Sequence, residues 1–174
     1  MATVSISESN VLTALRTFIL SLVTCEVIRG LGNRAGMPAG DFIAMTPIMA
    51  PPLATNVSTY SDIPGAGTQN IKRSTQINIQ LDCYDVSAAE NATIISTLLR
   101  SEYACNSFAA SGFDIQPLYA EDPKQMPIVN AESQWQERWT FAAVLQFNPV
   151  IAVPQDFATT LNANLVNVEA TYKP

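Results

Sequence analysis

Hydrophobic and polar residues alternate along residues 74–84. The apolar positions are Ile77, Ile79, Leu81 and Cys83, and the polar positions between them are Gln76, Asn78, Gln80 and Asp82. Successive side chains of a strand point to opposite faces of its sheet. The pattern therefore predicts a strand with one buried face and one solvated face.

The apolar spacing changes to that of a helix after Asp85. Ser87 and Glu90 have the spacing of a capping box, so we expect a helix to begin there. Its apolar residues recur at helical spacing and can cover the buried face of the preceding strand; they are Ala92, Ile95, Leu98 and Leu99. A strand and a helix packed in this way are typical of an α/β or α+β domain.

A second long alternating strand is predicted over residues 135–147, as the partner of strand 74–84. Its apolar face consists of Trp139, Phe141, Ala143, Leu145 and Phe147. Trp135 and Glu137 fall on the same side as this face. We therefore expect Trp135 in the core or in a subunit interface, and the Glu137 carboxylate at the rim or paired.

The rest of the chain predicts one more long helix and several shorter elements. A helix over residues 8–23 has Ser5 and Glu8 as a second candidate capping box. The other predicted elements are a strand at 24–29, extended segments at 41–49 and 53–60 with prolines at an edge or bend, a helix reaching Gly112, a strand at 113–119 and a last strand at 164–172.

Residues 61–70 are small, polar and flexible in character, with the sequence Ser-Asp-Ile-Pro-Gly-Ala-Gly-Thr-Gln-Asn. They predict the tip of a long hairpin arm that joins strand 53–60 to strand 71–84. Arms of this kind are often ordered by a neighbouring molecule. The predicted fold is a single α+β domain over residues 1–174, sandwich-like, with a mixed, mainly antiparallel sheet, two main helices packed on one face, and an arm that protrudes at 61–70.

Composition restricts the kinds of chemistry available. The 174 residues suit one domain, and 48% are hydrophobic against 14% charged, which leaves open a core-rich monomer or burial between subunits. The formal net charge of −6 argues against a basic surface for nucleic acid. No histidine is present, which excludes histidine-based triads and histidine-ligated zinc.

The acidic and glycine-rich segments lack the pattern of a catalytic or phosphate-binding site. Asp82 with Asp85 flanks a strand end and Glu121 with Asp122 lies in a turn, so we expect solvated loop charges. The glycines of loop 30–40 are not followed by the Lys-Ser/Thr of a phosphate-binding loop. We therefore predict no catalytic residue, no metal and no cofactor, and a protein that is not an enzyme.

The three cysteines are odd in number and far apart, which indicates a reducing compartment. We expect Cys83 and Cys105 to be buried as small hydrophobic residues. The apolar run at 18–23 is too short to span a bilayer, so no membrane association is predicted.

Short motifs are distributed in order along the chain, from about residue 8 to residue 172. They are Met-Pro-Ala-Gly-Asp-Phe at 37–42, Leu-Ala-Thr-Asn at 53–56 with Tyr60, Gln-Leu-Asp-Cys-Tyr at 80–84, Phe-Ala-Ala-Ser-Gly-Phe at 108–113, Pro-Leu-Tyr-Ala-Glu-Asp-Pro at 117–123, Glu-Arg-Trp at 137–139 and Gln-Phe-Asn-Pro at 146–149. As an ordered set, these motifs resemble the neck or tail terminator (collar) proteins of tailed bacteriophages.

The resemblance implies a structural virion protein of the phage neck, assembled in the host cytoplasm. It implies a homo-oligomeric ring of about six copies that caps the tail tube and ends its polymerisation. The implied partners are the tail tube protein below, a connector or head-completion protein above, and sheath or collar proteins as further candidates. Genomic DNA would pass through the ring without specific binding, and an acidic lumen would repel its phosphates.

We expect the arm and nearby loops to make subunit or tube contacts. The candidate interface residues are Asp62, Ile63, Pro64, Thr68, Asn70, Met37, Asp122 and Lys124. Two other functions stay open: a head-completion adaptor or tail-tube-like ring protein, and, more remotely, a small-ligand-binding module that uses loop 30–40.

Overall fold

The computed structural model describes residues 1–32, 36–129 and 133–158, so the last predicted strand, at 164–172, lies outside the described residues. The helices are α1 (Glu8–Leu20), α2 (Ala88–Leu99) and α3 (Glu102–Ala109). The strands are β1 (Thr3–Val4), β2 (Glu26–Arg29), β3 (Phe42–Met49), β4 (Val57–Ser61), β5 (Thr68–Lys72), β6 (Thr75–Tyr84), β7 (Ile115–Ala120), β8 (Lys124–Gln125), β9 (Ile128–Val129), β10 (Trp135–Gln136), β11 (Arg138–Phe147) and β12 (Val150–Pro154).

The central element is a sheet with strand order β2-β3-β6-β11-β7, which we call the main sheet; β8 also pairs with β11. Strands β6 and β11 are antiparallel and pair along their full length, from Thr75 opposite Phe147 to Tyr84 opposite Arg138. This pairing confirms the predicted partnership of the two alternating strands. Only β2 and β3 pair in parallel, so the main sheet is mixed and mainly antiparallel.

All three helices pack on one face of the main sheet. Helix α2 crosses β6, β11 and β7, whereas α1 packs on α3 and β2. Beneath them, the predicted apolar positions of β6 and those of β11 from Phe141 onward are buried. The rings of Phe18 in α1 and Phe108 in α3 lie 5.6 Å apart in this core. The α+β class and the single helical face are confirmed, with α3 as a short separate helix that ends before Gly112 (φ +77°).

Both helices with predicted capping boxes form, but neither makes the predicted capping hydrogen bonds. Ser7, rather than Ser5, caps α1 and forms its capping box with Asn10. Helix α2 begins after Ser87 as predicted, yet the Ser87 hydroxyl donates to Asp41 Oδ2 at 2.7 Å and its N–H donates to Asp41 Oδ1 at 3.2 Å. The carboxylate at this helix N-terminus therefore comes from a distant loop.

Pro47 lies where a missing backbone donor is tolerated. Strand β2 pairs only with Phe42–Met45, so Pro47 lies beyond its end. The register of β3 with β6 also shifts between Pro47 and Met49. This position at a local edge and a bend confirms the expectation for this proline.

Both long predicted strands are interrupted, and each interruption corrects a prediction. The stretch 71–84 is divided after Lys72, so β5 and β6 belong to different sheets. The stretch 135–147 breaks at Glu137, and Trp135 lies in a separate two-stranded ribbon with 78% of its surface exposed. The prediction that Trp135 shares a packed face with Trp139 is wrong. The Glu137 carboxylate is paired as expected, because it accepts from Trp139 Nε1 at 2.8 Å.

Two predictions about polar and thiol burial are also wrong. Cys105 is exposed, because α3 turns Ala104 and Phe108 toward the core instead. Asp82 is buried within β6, with 5% of its surface exposed, and is not a solvated loop charge. Cys83 is buried as expected, and desolvation raises the pKa of its thiol to about 12.

Candidate assembly surface

A second sheet, which we call the arm sheet, has strand order β1-β12-β5-β4 and is antiparallel throughout. Its outer hairpin pairs Val57 with Lys72 at the base and Ser61 with Thr68 near the tip. None of the residues that the structure describes in these four strands is buried. The arm sheet therefore lacks a core of its own.

One face of the arm sheet is uncharged and largely apolar, and we call it the apolar arm face. Directly paired residues share a face, and this rule assigns to it Val4, Ser58, Tyr60, Gln69, Ile71, Ile151 and Val153. Val4 is 56% exposed and Tyr60 is 61% exposed. Exposed apolar surface of this kind marks protein contact sites.

The opposite face of the arm sheet mixes polar side chains with apolar ones such as Val57 and Val150, and it is attached to the body of the domain. Thr68, Asn70 and Lys72 lie on this face. The Lys72 ammonium donates to Asp114 Oδ2 at 3.4 Å, and Asn148 Nδ2 donates to the same oxygen at 3.0 Å. These bonds are at the base of the arm, on the side away from the apolar arm face.

The arm tip is a defined turn. The Ala66 N–H donates to the Ile63 carbonyl oxygen at 2.8 Å, and Gly65 has φ +76°. A proline followed by a residue of positive φ is the signature of a type II turn, so Pro64 and Gly65 form its centre. Asp62, Ile63 and Pro64 are exposed there.

Contacts within the chain hold the tip, whereas the sequence suggested that a neighbour would order it. The Gln155 N–H donates to the Gly67 carbonyl oxygen at 2.9 Å. A Cβ at Gly67 would lie 2.6 Å from Phe157 Cδ2, so only glycine allows this approach. The Phe157 ring also meets Tyr60 edge-on, with centroids 6.3 Å apart. The arm is thus shaped before any partner binds.

A cleft of about 590 Å³ lies at the base of the arm; we call it the base cleft. Its lining consists of Pro52, Leu53, Ala54, Thr55, Asn56 and Arg73. The backbone there is pinned, because the Leu53 N–H donates to the Ser74 carbonyl oxygen at 2.8 Å and the Gln76 N–H donates to the Pro51 carbonyl oxygen at 3.0 Å. The cleft is a fixed feature of the arm base.

Arg73 is the charged residue of the base cleft. Its guanidinium donates only to the Ala50 carbonyl oxygen, at 3.4 Å, and forms no ion pair with any residue in the described part of the chain. In the sequence, Arg73 stands beside Lys72 and indicates only a charged strand entry. The feature of the sequence that could have pointed to this cleft is the run 48–57, which contains no charged residue. In the structure the whole run is exposed.

The face of the main sheet opposite the helices forms a third surface, the open face, and it is mixed in character. Phe42, Ala44 and Tyr84 form a small buried cluster there, and polar side chains of β6 and β11 lie beside it. Gln76 Nε2 donates to Asn78 Oδ1 at 2.8 Å, and Gln80 Nε2 donates to both oxygens of Asp82 at 2.9 and 3.0 Å. Arg138 Nε lies 4.0 Å from Asp82 Oδ1. The buried carboxylate of Asp82 therefore has both a hydrogen-bond donor and an opposite charge within the sheet, and its role is structural.

The predicted interface residues fall into separate groups. Asp62, Ile63, Pro64, Thr68 and Asn70 share the arm. Met37 and Lys124 form a further group that borders the open face. Met37 lines one cavity and Lys124 lines another, and Gln80 lines both.

Asp122 does not belong to either group. Its carboxylate oxygen Oδ1 accepts from Arg100 Nη2 at 2.8 Å, beside the C-terminus of α2. Arg100 also donates from Nε to the Ala120 carbonyl oxygen at 2.6 Å. The pair ties the turn after β7 to the helix.

Within residues 1–32, 36–129 and 133–158, no group of three or more cysteine, aspartate or glutamate residues is arranged to hold a metal ion. Among the helices described, none is long and apolar enough to cross a membrane.

Comparison with known proteins identifies a family and a solved structure of similar fold. The sequence profile of the family described as "Phage neck terminator protein" matches residues 9–171. No curated protein matches the sequence. Among solved structures, the fold is similar to the sheath/tube terminator of an extracellular contractile injection system, PVC, in its extended state, with 12% sequence identity and a TM-score of 0.52. The alignment covers 97% of this chain and 65% of that protein.

Proposed function

The chain belongs to the phage neck terminator protein family, and from that premise we propose that it forms a ring on the last ring of the tail tube. In this position it ends tube polymerisation, joins the tube to a head-side connector or head-completion protein, and leaves a central channel for DNA. The role is structural and carried out in the virion. We propose a closed ring, because homo-oligomers adopt closed symmetry, and about six copies, which is the number that the family resemblance implies.

The arm sheet is the observation that carries this proposal. Isolated strands need a hydrophobic face packed against something to be stable, yet none of the described residues in these four strands is buried. The apolar arm face is also uncharged. Surfaces of this composition, depleted in charge and rich in aromatic and aliphatic side chains, are typical of interface cores. A ring neighbour or a tube subunit would cover it.

The charge of the chain supports a channel through which DNA slides. Each copy carries a formal net charge of −6. A ring of such copies presents a negative potential to DNA phosphates, which opposes tight binding of the backbone. DNA would therefore pass without a specific contact.

Deletion of the gene from the phage tests this function. We expect tails of unregulated length that are not joined to heads, with both defects corrected by the wild-type protein supplied in trans. Label against the protein should lie at the head-tail junction of intact particles. Tails of normal length joined to heads in the deletion strain would contradict the proposal, and so would particles without label.

The deletion strain and the label together separate the alternatives. If the protein were a head-completion adaptor, the deletion strain would contain free tails of correct length. If it were a tube-like ring protein, the label would lie along the tail. Normal virions would favour the ligand-binding reading of loop 30–40.

A further inference from the structure

We propose that the arm tip of one copy docks in the base cleft of the next copy around the ring. The occupying segment is Asp62-Ile63-Pro64, and the receiving residues are Arg73 with the apolar stretch 52–54. The inference rests on the proposed ring and adds the surface through which its subunits meet.

Charge complementarity is the first argument for this contact. The copies share a net charge of −6 and repel one another, so a stable contact needs neutral surface or opposite charges. Arg73 forms no ion pair in the described part of the chain. Asp62 is exposed at the tip and is likewise without an ion pair among the described residues. The two charges are opposite in sign, and neither is paired within the described part of its own chain.

The remaining groups also match in polarity. Ile63 is 56% exposed beside Pro64, and Leu53 is 46% exposed in the cleft beside Pro52. Contact would remove these apolar side chains from water. The cleft is shallow and open to solvent on its outer side, so a short segment can reach its lining.

Geometry makes the contact one between copies. The cleft lies at the base of the arm, and the tip lies beyond the far ends of β4 and β5. Five strand residues separate the two by roughly 16 Å. A copy cannot place its own tip in its own cleft without breaking this hairpin. Around the proposed ring, each copy receives the tip of one neighbour and gives its own tip to the other, so the contact is head-to-tail, and head-to-tail contacts generate closed rings when the rotation closes.

A charge-reversal cycle tests the contact directly. Ring formation by the full-length chain is measured by native mass spectrometry and light scattering, with and without tail tubes of the same phage. We expect Asp62→Lys and Arg73→Glu each to weaken assembly about tenfold or more, because each places like charges together. The double variant should recover most of the assembly, because it restores the opposite pair.

The matched control is Glu26→Lys, which makes the same change of charge at an exposed position on β2, away from the arm. It should assemble as the wild type does. Recovery of assembly requires the doubly substituted chain to be folded. It therefore also excludes misfolding as the reason why Arg73→Glu alone assembles poorly. Single variants that assemble normally, or a double variant as defective as the singles, would overturn the inference while the ring itself stands.

A cross-link provides an independent readout. In a Cys105→Ser background, the pair Ile63→Cys and Ala54→Cys should form disulfides between copies, whereas either cysteine alone should not. If the wild type forms rings but the double-cysteine variant forms no disulfide between copies, the docking is overturned. Wild-type chains that stay monomeric with tubes present would overturn the proposed function as well, so the two failures are distinguishable.

Discussion

The main sheet and the arm sheet differ in what covers their apolar faces. In the main sheet, Ile79 and Leu145 are 0% exposed beneath the helices. On the apolar arm face, Ile151 is 37% exposed and Tyr60 is 61% exposed. The difference indicates that the main sheet holds the stability of the monomer, and that the arm sheet is shaped for contact. Substitutions in the two sheets should therefore separate stability from assembly.

The largest loss of stability is expected in the main sheet. Leu145→Ala should lower the free energy of unfolding by about 2–5 kcal/mol, because it leaves a cavity between β11 and α2. Urea denaturation of the monomer measures this loss. Leu145→Met keeps most of the volume and should cost less than about 1.5 kcal/mol. A small loss in both variants would mean that the helical face is not the core.

A smaller loss is expected at the arm tip. Gly67→Ala places a methyl group against the Phe157 ring and the Gln155 backbone, which should cost about 1–3 kcal/mol in overpacking. Limited proteolysis should cut the arm of this variant earlier than that of Ala66→Ser, an exposed neighbour. Equal cleavage of the two would show that the chain does not hold its own tip.

The cap of α2 is a comparable local feature outside the arm. Asp41→Ala removes both acceptors for Ser87 and should cost about 0.5–2 kcal/mol, as loss of a helix cap does. Asp41→Asn retains one acceptor oxygen, so its loss should be smaller. Thermal unfolding ranks the two variants, and ring formation should be unchanged in both. A reversed ranking would place the stabilisation elsewhere.

The smallest effect on the monomer is expected on the apolar arm face. Tyr60→Ala should change the free energy of unfolding by less than about 1 kcal/mol, because the side chain is largely exposed. Assembly should fall strongly, since exposed aromatic residues are frequent binding hot spots. Tyr60→Phe keeps the ring and serves as the control. A monomer loss as large as that of Leu145→Ala would erase the contrast between the sheets.

Sequence periodicity predicted the main sheet well. Strands β6 and β11 carry alternating patterns long enough to define both their faces and their pairing. The helices followed from apolar spacing, and Gly112 correctly indicated where α3 stops. These features depend on local pattern, which a sequence displays directly.

Long-range features were not predictable in the same way. The carboxylate that accepts from the N-cap residue Ser87 belongs to Asp41, far away in sequence, whereas local spacing pointed to Glu90. Nothing in the alternation of 71–84 shows that the chain changes sheets after Lys72. Arg73 became a candidate only when the fold placed it beside residues 52–56.

The central claim, that the arm serves assembly and contributes little to folding, has one direct test. Residues 62–67 are replaced by Asn-Gly, a pair that favours a two-residue hairpin turn and keeps Ser61 opposite Thr68. We expect a folded monomer, whose urea midpoint falls no further than that of Gly67→Ala, that no longer forms rings or caps tail tubes. A variant that still caps tubes and ends their growth would contradict it.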